Sequence, residues 1–360
     1  MNNVGWYHAR LGNHEQMLTS CRRAVAVHRE TGDRSAEATA LDSLGYAYHG
    51  LATGHGPAGR TRPVRRRSGP TKAADPGKSA GRICGVKVYV SVDMEGVAGI
   101  ADWEQCLPGG DDYALGRELV LGELNAAIDG ALSAGAAEIH VNDSHSLMRN
   151  LPPGALHGRA RYLSGRFKPR YMMQGLDETF EACVFLGYHA AIATPGVLSH
   201  TYNPRAITGA RLGGITTGEA GLNALVAQHY GVPVAVITGD QYVGPEAAPF
   251  CPGIVHVPVK ESVSRYAALH LHPDDARDAI GDAVYDALSN VDTLRPPGIA
   301  LPATLEVDLA SPDMAEQATW LRGVSRVDSR TVTVTDDDPL RLFGTFITLV
   351  YLTRSLVESR

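Results

Sequence analysis

The chain has 360 residues, of which 44% are hydrophobic and 20% charged, with 33 Lys and Arg against 39 Asp and Glu. That is globular chemistry with mass for two domains, or for one large domain with an appendage. It excludes a membrane-spanning helix: the longest apolar run, Phe343 to Leu352, is too short, carries threonines and reads as a core strand. The opening residues have neither a basic region nor an apolar stretch of the secretory kind, and the five cysteines show no CxxC spacing. A reduced, cytoplasmic protein is the expectation.

Residues 1–85 carry 13 Lys and Arg against 6 Asp and Glu, while the remainder carries 20 against 33. Residues 1–52 are helical by pattern. VGWYHARLG at 4–12 and LGYAYHGLA at 44–52 match at an offset of 40, with an amphipathic helix between them. These aromatic-glycine helix pairs resemble tetratricopeptide repeats, although only about one and a half units are present and such stacks need three or more. A short all-helical N-terminal extension is expected. Residues 53–84 are rich in Gly, Pro, Arg and Ser without apolar period, which predicts a disordered basic linker. Its arginines (Arg60, Arg62, Arg65, Arg66, Arg67) lack a folded basic face or aromatic platform, so a nucleic-acid partner is not expected.

From residue 85 the pattern becomes strands alternating with amphipathic helices. VKVYVSV (86–92) precedes a helix near 112–134, then EIHVND (138–143), ARYLSG (160–165) and a short helix around Leu176 to Ala182. CVFLGYH (183–189), a helix from about Thr217 to Tyr230, and VPVAVITGD (232–240) follow. This order predicts an α/β fold, a mostly parallel sheet covered by helices on both faces, over residues 85–260. After about 260 the order changes: a helix (Asp274 to Ser289), TLEVDLA (304–310), the helix MAEQATWLRG, RTVTVTD (330–336) and a final helix or strand. A smaller α+β subdomain is therefore expected over 261–360.

Polar residues collect where strands end. The first strand runs into Asp93 and Glu95, two carboxylates which the strand period of two sends to one side. The second runs out through Asn142-Asp143-Ser144-His145, and a later one through Gly187-Tyr188-His189. Carboxyl ends of strands form the ligand crevice of open parallel sheets. Read singly, each residue has a plainer reading: a solvated edge, a helix cap, a core histidine. Read together, two carboxylates and two imidazoles form a metal constellation, and a cation would relieve the repulsion between Asp93 and Glu95. Gly96 would let the chain turn closely past the ion. His140 is expected to be structural, Asp143 and Ser144 to be turn and cap residues, and Asp240 to support the site from behind.

SVDMEG (91–96), VNDSHS (141–146), LSG–KP–GLD–TF (163–180), FLGYHA (185–190), TPGVLSHT (194–201) and GEAGLNA (218–224) occur in an order that resembles the zinc-dependent D-aminopeptidase family. The resemblance covers about residues 86–350 and leaves out the front 85 residues and the stretch 204–218. It implies a two-zinc site in each subunit. Asp93 would be shared by both ions, Glu95 and His145 would complete one, and His189 and Glu219 the other. His200 would be the catalytic histidine. Pattern alone reads Glu219 as a first-turn carboxylate and His200 as a loop histidine. Manganese or cobalt would accept the same ligand types. The implied activity is hydrolysis of short peptides with an N-terminal D-residue, in a ring-shaped homo-oligomer. A metal-dependent hydrolase of another amide or of a phosphate ester, and a repeat-based scaffold with an inert hydrolase domain, are the alternatives.

Overall fold

The computed structural model describes residues 85–357. The repeat-like segment expected at 1–52 and the linker expected at 53–84 lie outside them. Among the described residues, twelve strands form two sheets. The first six are β1 (Val86–Val92), β2 (Ala136–Asp143), β3 (Arg161–Leu163), β4 (Ala182–Leu186), β5 (Ile207–Leu212) and β6 (Ile215–Thr216). The others are β7 (Val234–Asp240), β8 (Val255–Ser264), β9 (Ala267–His270), β10 (Ala303–Leu309), β11 (Ser325–Arg326) and β12 (Thr331–Asp336). Among the described residues, six α-helices accompany them: α1 (Tyr113–Ser133), α2 (Glu219–Tyr230), α3 (Val243–Ala247), α4 (Pro273–Ser289), α5 (Pro312–Ala318) and α6 (Pro339–Thr353).

The first sheet has the order β3-β2-β1-β4-β7-β8-β9, parallel throughout except for the β8–β9 hairpin. Its central strands are buried on both faces, as the near-continuous apolar runs require. Val88, Val90 and Val92 of β1 face one way, into a core built with Val120, Leu124 and Ile128 of α1 and Ile280 and Val284 of α4. Tyr89 faces the other way, with Phe185, Ile237, Leu222 and Leu225 of α2, and Phe343 and Phe346 of α6. The second sheet, β11-β12-β10-β5-β6, is antiparallel and adds Leu305, Val307 and Val332 to that second core.

Several expectations are corrected. The run Phe343 to Leu352 belongs to helix α6, not to a core strand. Asp338 caps it, accepting from Leu340 N and Arg341 N, Pro339 starts it, and its buried residues Leu342, Phe343, Phe346, Ile347, Leu349 and Val350 follow helical spacing. No helix forms at 176–182. There the Asp177 side chain accepts the Thr179 amide at 2.9 Å, an Asx turn competing with a segment too short to nucleate helix. The helix expected over MAEQATWLRG stops at Ala318. The stretch 204–218 holds a hairpin, β5 and β6 joined at Gly213-Gly214, and β8 and β9 form a second unforeseen hairpin. The expected boundary at 260/261 falls inside β8, and β5 crosses it to pair with β10. No helix among the described residues is long and apolar enough to cross a membrane.

Candidate metal centre

Within the first sheet, β1 connects outward to β2 while β4 lies on its other side, so strand order reverses at β1 and β4. The site lies at the carboxyl ends of these strands, where such a reversal leaves a crevice. β1 stops at Val92, so the strand period does not align Asp93 with Glu95. A turn does: Asp93 N donates to Leu186 O at 2.8 Å, and Gly96 N donates to Gly187 O at 2.7 Å. These bonds stitch the DMEG turn to the end of β4. A Cβ on Gly96 would lie 1.9 Å from the Tyr188 carbonyl oxygen, and one on Gly187, whose φ is 69°, would lie 2.4 Å from the Asp93 carbonyl oxygen. Glycine at 96 is thus required by neighbouring backbone, not by passage beside an ion.

Six side chains converge there, all buried: Asp93, Glu95, His145, His189, His200 and Glu219. His145 Nδ1 lies 3.1 Å from Asp93 Oδ1 and 3.0 Å from Glu95 Oε2. His189 Nε2 lies 3.5 Å from Asp93 Oδ2 and 3.4 Å from Glu219 Oε1. His200 Nε2 is 4.0 Å from Glu95 Oε1 and 3.8 Å from Glu219 Oε1. The His189 and His200 rings stack with centroids 3.9 Å apart. Their ligand-type atoms form three overlapping triads: Asp93 with Glu95 and His145, Asp93 with His189 and Glu219, and Glu95 with His189 and His200.

The imidazoles are oriented by backbone carbonyls. His145 Nε2 donates to Cys106 O at 2.9 Å, His189 Nδ1 to Ala190 O at 3.0 Å, and His200 Nδ1 to Leu198 O at 2.9 Å. A carbonyl only accepts, so in each neutral ring the other nitrogen presents a lone pair to the carboxylates. Lone pairs facing carboxylate oxygens repel unless a proton or a cation lies between them. Glu95 Oε2 and His189 Nε2 are buried with no hydrogen-bond partner among the described residues. The donor set, the ring tautomers and these two orphaned atoms fit divalent metal.

Without a cation, protons take its place. Burial disfavours the charged histidines, but Glu95 and Asp93 override it at His145 and hold its pKa well above the usual value. At His189, Glu219, with Asp93 and Glu95 behind it, overcomes burial and lifts the pKa from 6.5 to about 10. Asp93 is pushed up to about 7 by burial and by the charge of Glu95. Glu95, facing His145, His189 and His200, stays well below the ordinary range despite burial. His200 is lowered to about 4 by burial and by His189, which keeps it neutral.

Supporting groups include several that pattern could not reveal. Lys260 is buried and donates to the carbonyls of Glu95, Val97 (2.9 Å) and Ile100 (2.7 Å), fastening the turn that carries both carboxylates. Tyr202 N donates to Glu219 Oε1 at 2.7 Å, at the start of α2. Trp103 sets its edge against His200 at 5.3 Å. Their partners are mostly backbone carbonyls and amides, which leave no mark in sequence. Asp143 organises the loop after β2, accepting from Asn150 N, Leu151 N and the Tyr162 hydroxyl. Asp240 accepts from Val197 N at 2.9 Å and so braces the loop bearing His200. His140 turns away to Glu138 at 2.5 Å. The site opens into a cavity of about 400 Å³ lined by Asp93, Glu95, His145, His200 and Glu219.

The family model of the D-aminopeptidases matches residues 86–348. The D-aminopeptidase of Bacillus subtilis (strain 168) is 38% identical over 252 residues, covering 69% of this chain and 90% of that protein. Among solved structures, a Zn-dependent D-aminopeptidase from Bacillus subtilis, described as a self-compartmentalizing protease, superposes with a TM-score of 0.72 at 34% identity, covering 76% of this chain and 100% of that one. With the family match spanning well over half of its length, this chain belongs to the D-aminopeptidase family of peptidases.

Proposed function

We propose that this chain is a zinc-dependent aminopeptidase that hydrolyses short peptides beginning with a D-residue, with Asp93, Glu95, His145, His189 and Glu219 holding two ions and Asp93 shared between them. The observation that carries the reading is the pair of overlapping triads about Asp93, together with two buried ligand-type atoms, Glu95 Oε2 and His189 Nε2, that have no hydrogen-bond partner among the described residues. Zinc bound there would supply Lewis acidity and a water whose pKa approaches neutrality. The chain's own residues do the rest. His145 and His189, oriented by the Cys106 and Ala190 carbonyls, offer the free ring nitrogen. His200 stays neutral in its buried setting, so its Nε2 can take a proton and pass it to the leaving amine.

Metal analysis of the purified protein paired with a D-Ala-D-Ala assay tests the reading. Expected are about two zinc ions per chain and turnover lost on chelation and restored by zinc. Equal hydrolysis of L-peptides, or turnover on phosphate monoesters alone, would remove it.

Residues 85–357 are proposed to act as the catalytic unit, so a chain shortened to begin at Gly85 should keep its activity. A homo-oligomer is also proposed. The structural relative is described as self-compartmentalizing. Here the β8–β9 hairpin at the sheet edge exposes Val263, Tyr266 and Leu269, an apolar surface of the kind subunits bury. Native mass measurement of the assembly checks it; a monomer at micromolar concentration would contradict it.

A further inference from the structure

We propose that the cavity beside the metal centre carries an arginine subsite for the free C-terminal carboxylate of the substrate, which restricts the enzyme to very short peptides with both ends free. Four arginines line this cavity: Arg166 after β3, Arg205 before β5, Arg265 at the tip of the β8–β9 hairpin, and Arg354 after α6. They come from four separate segments of the chain. Among the described residues, none of the four forms an ion pair. Among the described arginines, Arg161, Arg211, Arg277, Arg326 and Arg341 hold a carboxylate and the others do not, so what sets these four apart is that they line one cavity with the ligand-type residues.

The three carboxylates of the cavity do not compensate these guanidinium groups. Asp93, Glu95 and Glu219 are already engaged by His145, His189, His200 and the Tyr202 amide. Metal ions in the cage would consume their charge further. The result is one cavity whose lining joins the carboxylates and imidazoles of the metal centre to four exposed arginines that form no ion pair. A ligand matching it is a short chain with a reactive amide near its amino end and a carboxylate at the other. Arginine's planar fork binds a carboxylate through two parallel hydrogen bonds. Two or three extended residues span roughly 7–10 Å, which suits a cavity at the small end of the ligand-site range.

This inference rests on the aminopeptidase reading of the site, and the test separates the two. D-Ala-D-Ala and its C-terminal amide are compared on the zinc-loaded full chain. The free acid should be favoured in kcat/KM by about 10-fold or more, mainly through KM, as expected for one charge-assisted contact. The preference should fall toward one in the variant Arg166→Gln/Arg205→Gln/Arg265→Gln/Arg354→Gln, and at least one single Arg→Gln variant should lower it several-fold. Wild type that cleaves both peptides without preference overturns the subsite and leaves the aminopeptidase reading standing. A wild type that cleaves neither peptide removes both. If the fourfold variant does not fold, the single variants decide, and four unchanged preferences overturn the proposal.

Discussion

Two charged clusters in this protein use the same residue types to opposite ends. On the second sheet, Arg211 holds Glu306 at 3.2 Å and Asp308 at 2.7 Å, with all three side chains about one-third exposed. Every charge there meets its opposite across neighbouring strands. At the end of the first sheet, three carboxylates and three imidazoles are almost fully buried, and two of their polar atoms have no hydrogen-bond partner among the described residues. Solvent makes the first cluster inexpensive and energetically minor. Burial makes the second costly unless something else enters it, and that unmet requirement marks it as a site.

The sharpest way to break this contrast is to empty the cage. His189→Ala and His145→Ala should each lose bound zinc and lower turnover on D-Ala-D-Ala by about 10³-fold or more, read by metal analysis and steady-state kinetics. His200→Ala should keep its zinc and lower kcat by about 10²-fold, since it removes proton transfer and not a ligand. If His200→Ala instead loses metal, the triad of Glu95, His189 and His200 is the one occupied.

Acidity separates the metal-free from the loaded protein. The folded pKa of His189 is raised from 6.5 to about 10, so its contribution to stability is complete below about pH 6.5 and is lost as pH rises toward 10. Asp93, raised from 3.8 to about 7, acts in the same direction, favouring the folded state at low pH and disfavouring it as it ionises. The metal-free protein should therefore lose thermal stability as pH rises through this window. Zinc must displace the protons on His145 and His189, so its affinity should rise with pH, about tenfold per unit for each proton released. Thermal melts with and without chelator across pH 6 to 9 read both effects; parallel curves would contradict the exchange of protons for metal. The smallest effect belongs to the exposed cluster: Arg211→Ala should cost about 0.2–1 kcal/mol in denaturant unfolding and leave zinc content unchanged.

Much of this contrast was legible in the sequence. Apolar runs such as VKVYVSV and VPVAVITGD announced buried parallel strands, and the endings SVDMEG, VNDSHS and FLGYHA placed charge where a crevice opens. Less legible was what surrounds them. The run FGTFITLVYL satisfies a strand and a helix equally until Asp338 caps it and its stripe meets α2 and the second sheet. Neither the hairpin at Gly213-Gly214 nor the pairing of β5 with β10 was expected from local pattern. The four arginines of the cavity lie in four unrelated segments, and no spacing joins them.

By itself, the order of residues determined the main strands and helices of the first sheet, the alternating faces of β1 and the kinds of ligand atom available, because these depend on neighbours a few positions away. Only the tertiary structure decided that Asp93 and Glu95 converge through a turn stitched to β4, that carbonyls of Cys106, Ala190 and Leu198 orient the three imidazoles, and that Lys260 of β8 fastens the turn carrying both carboxylates. In each of those contacts at least one partner is a backbone atom, which every residue carries, and the Lys260 side chain meets its carbonyl from 165 positions away, so which backbone atom is met depends on the path of the chain through space.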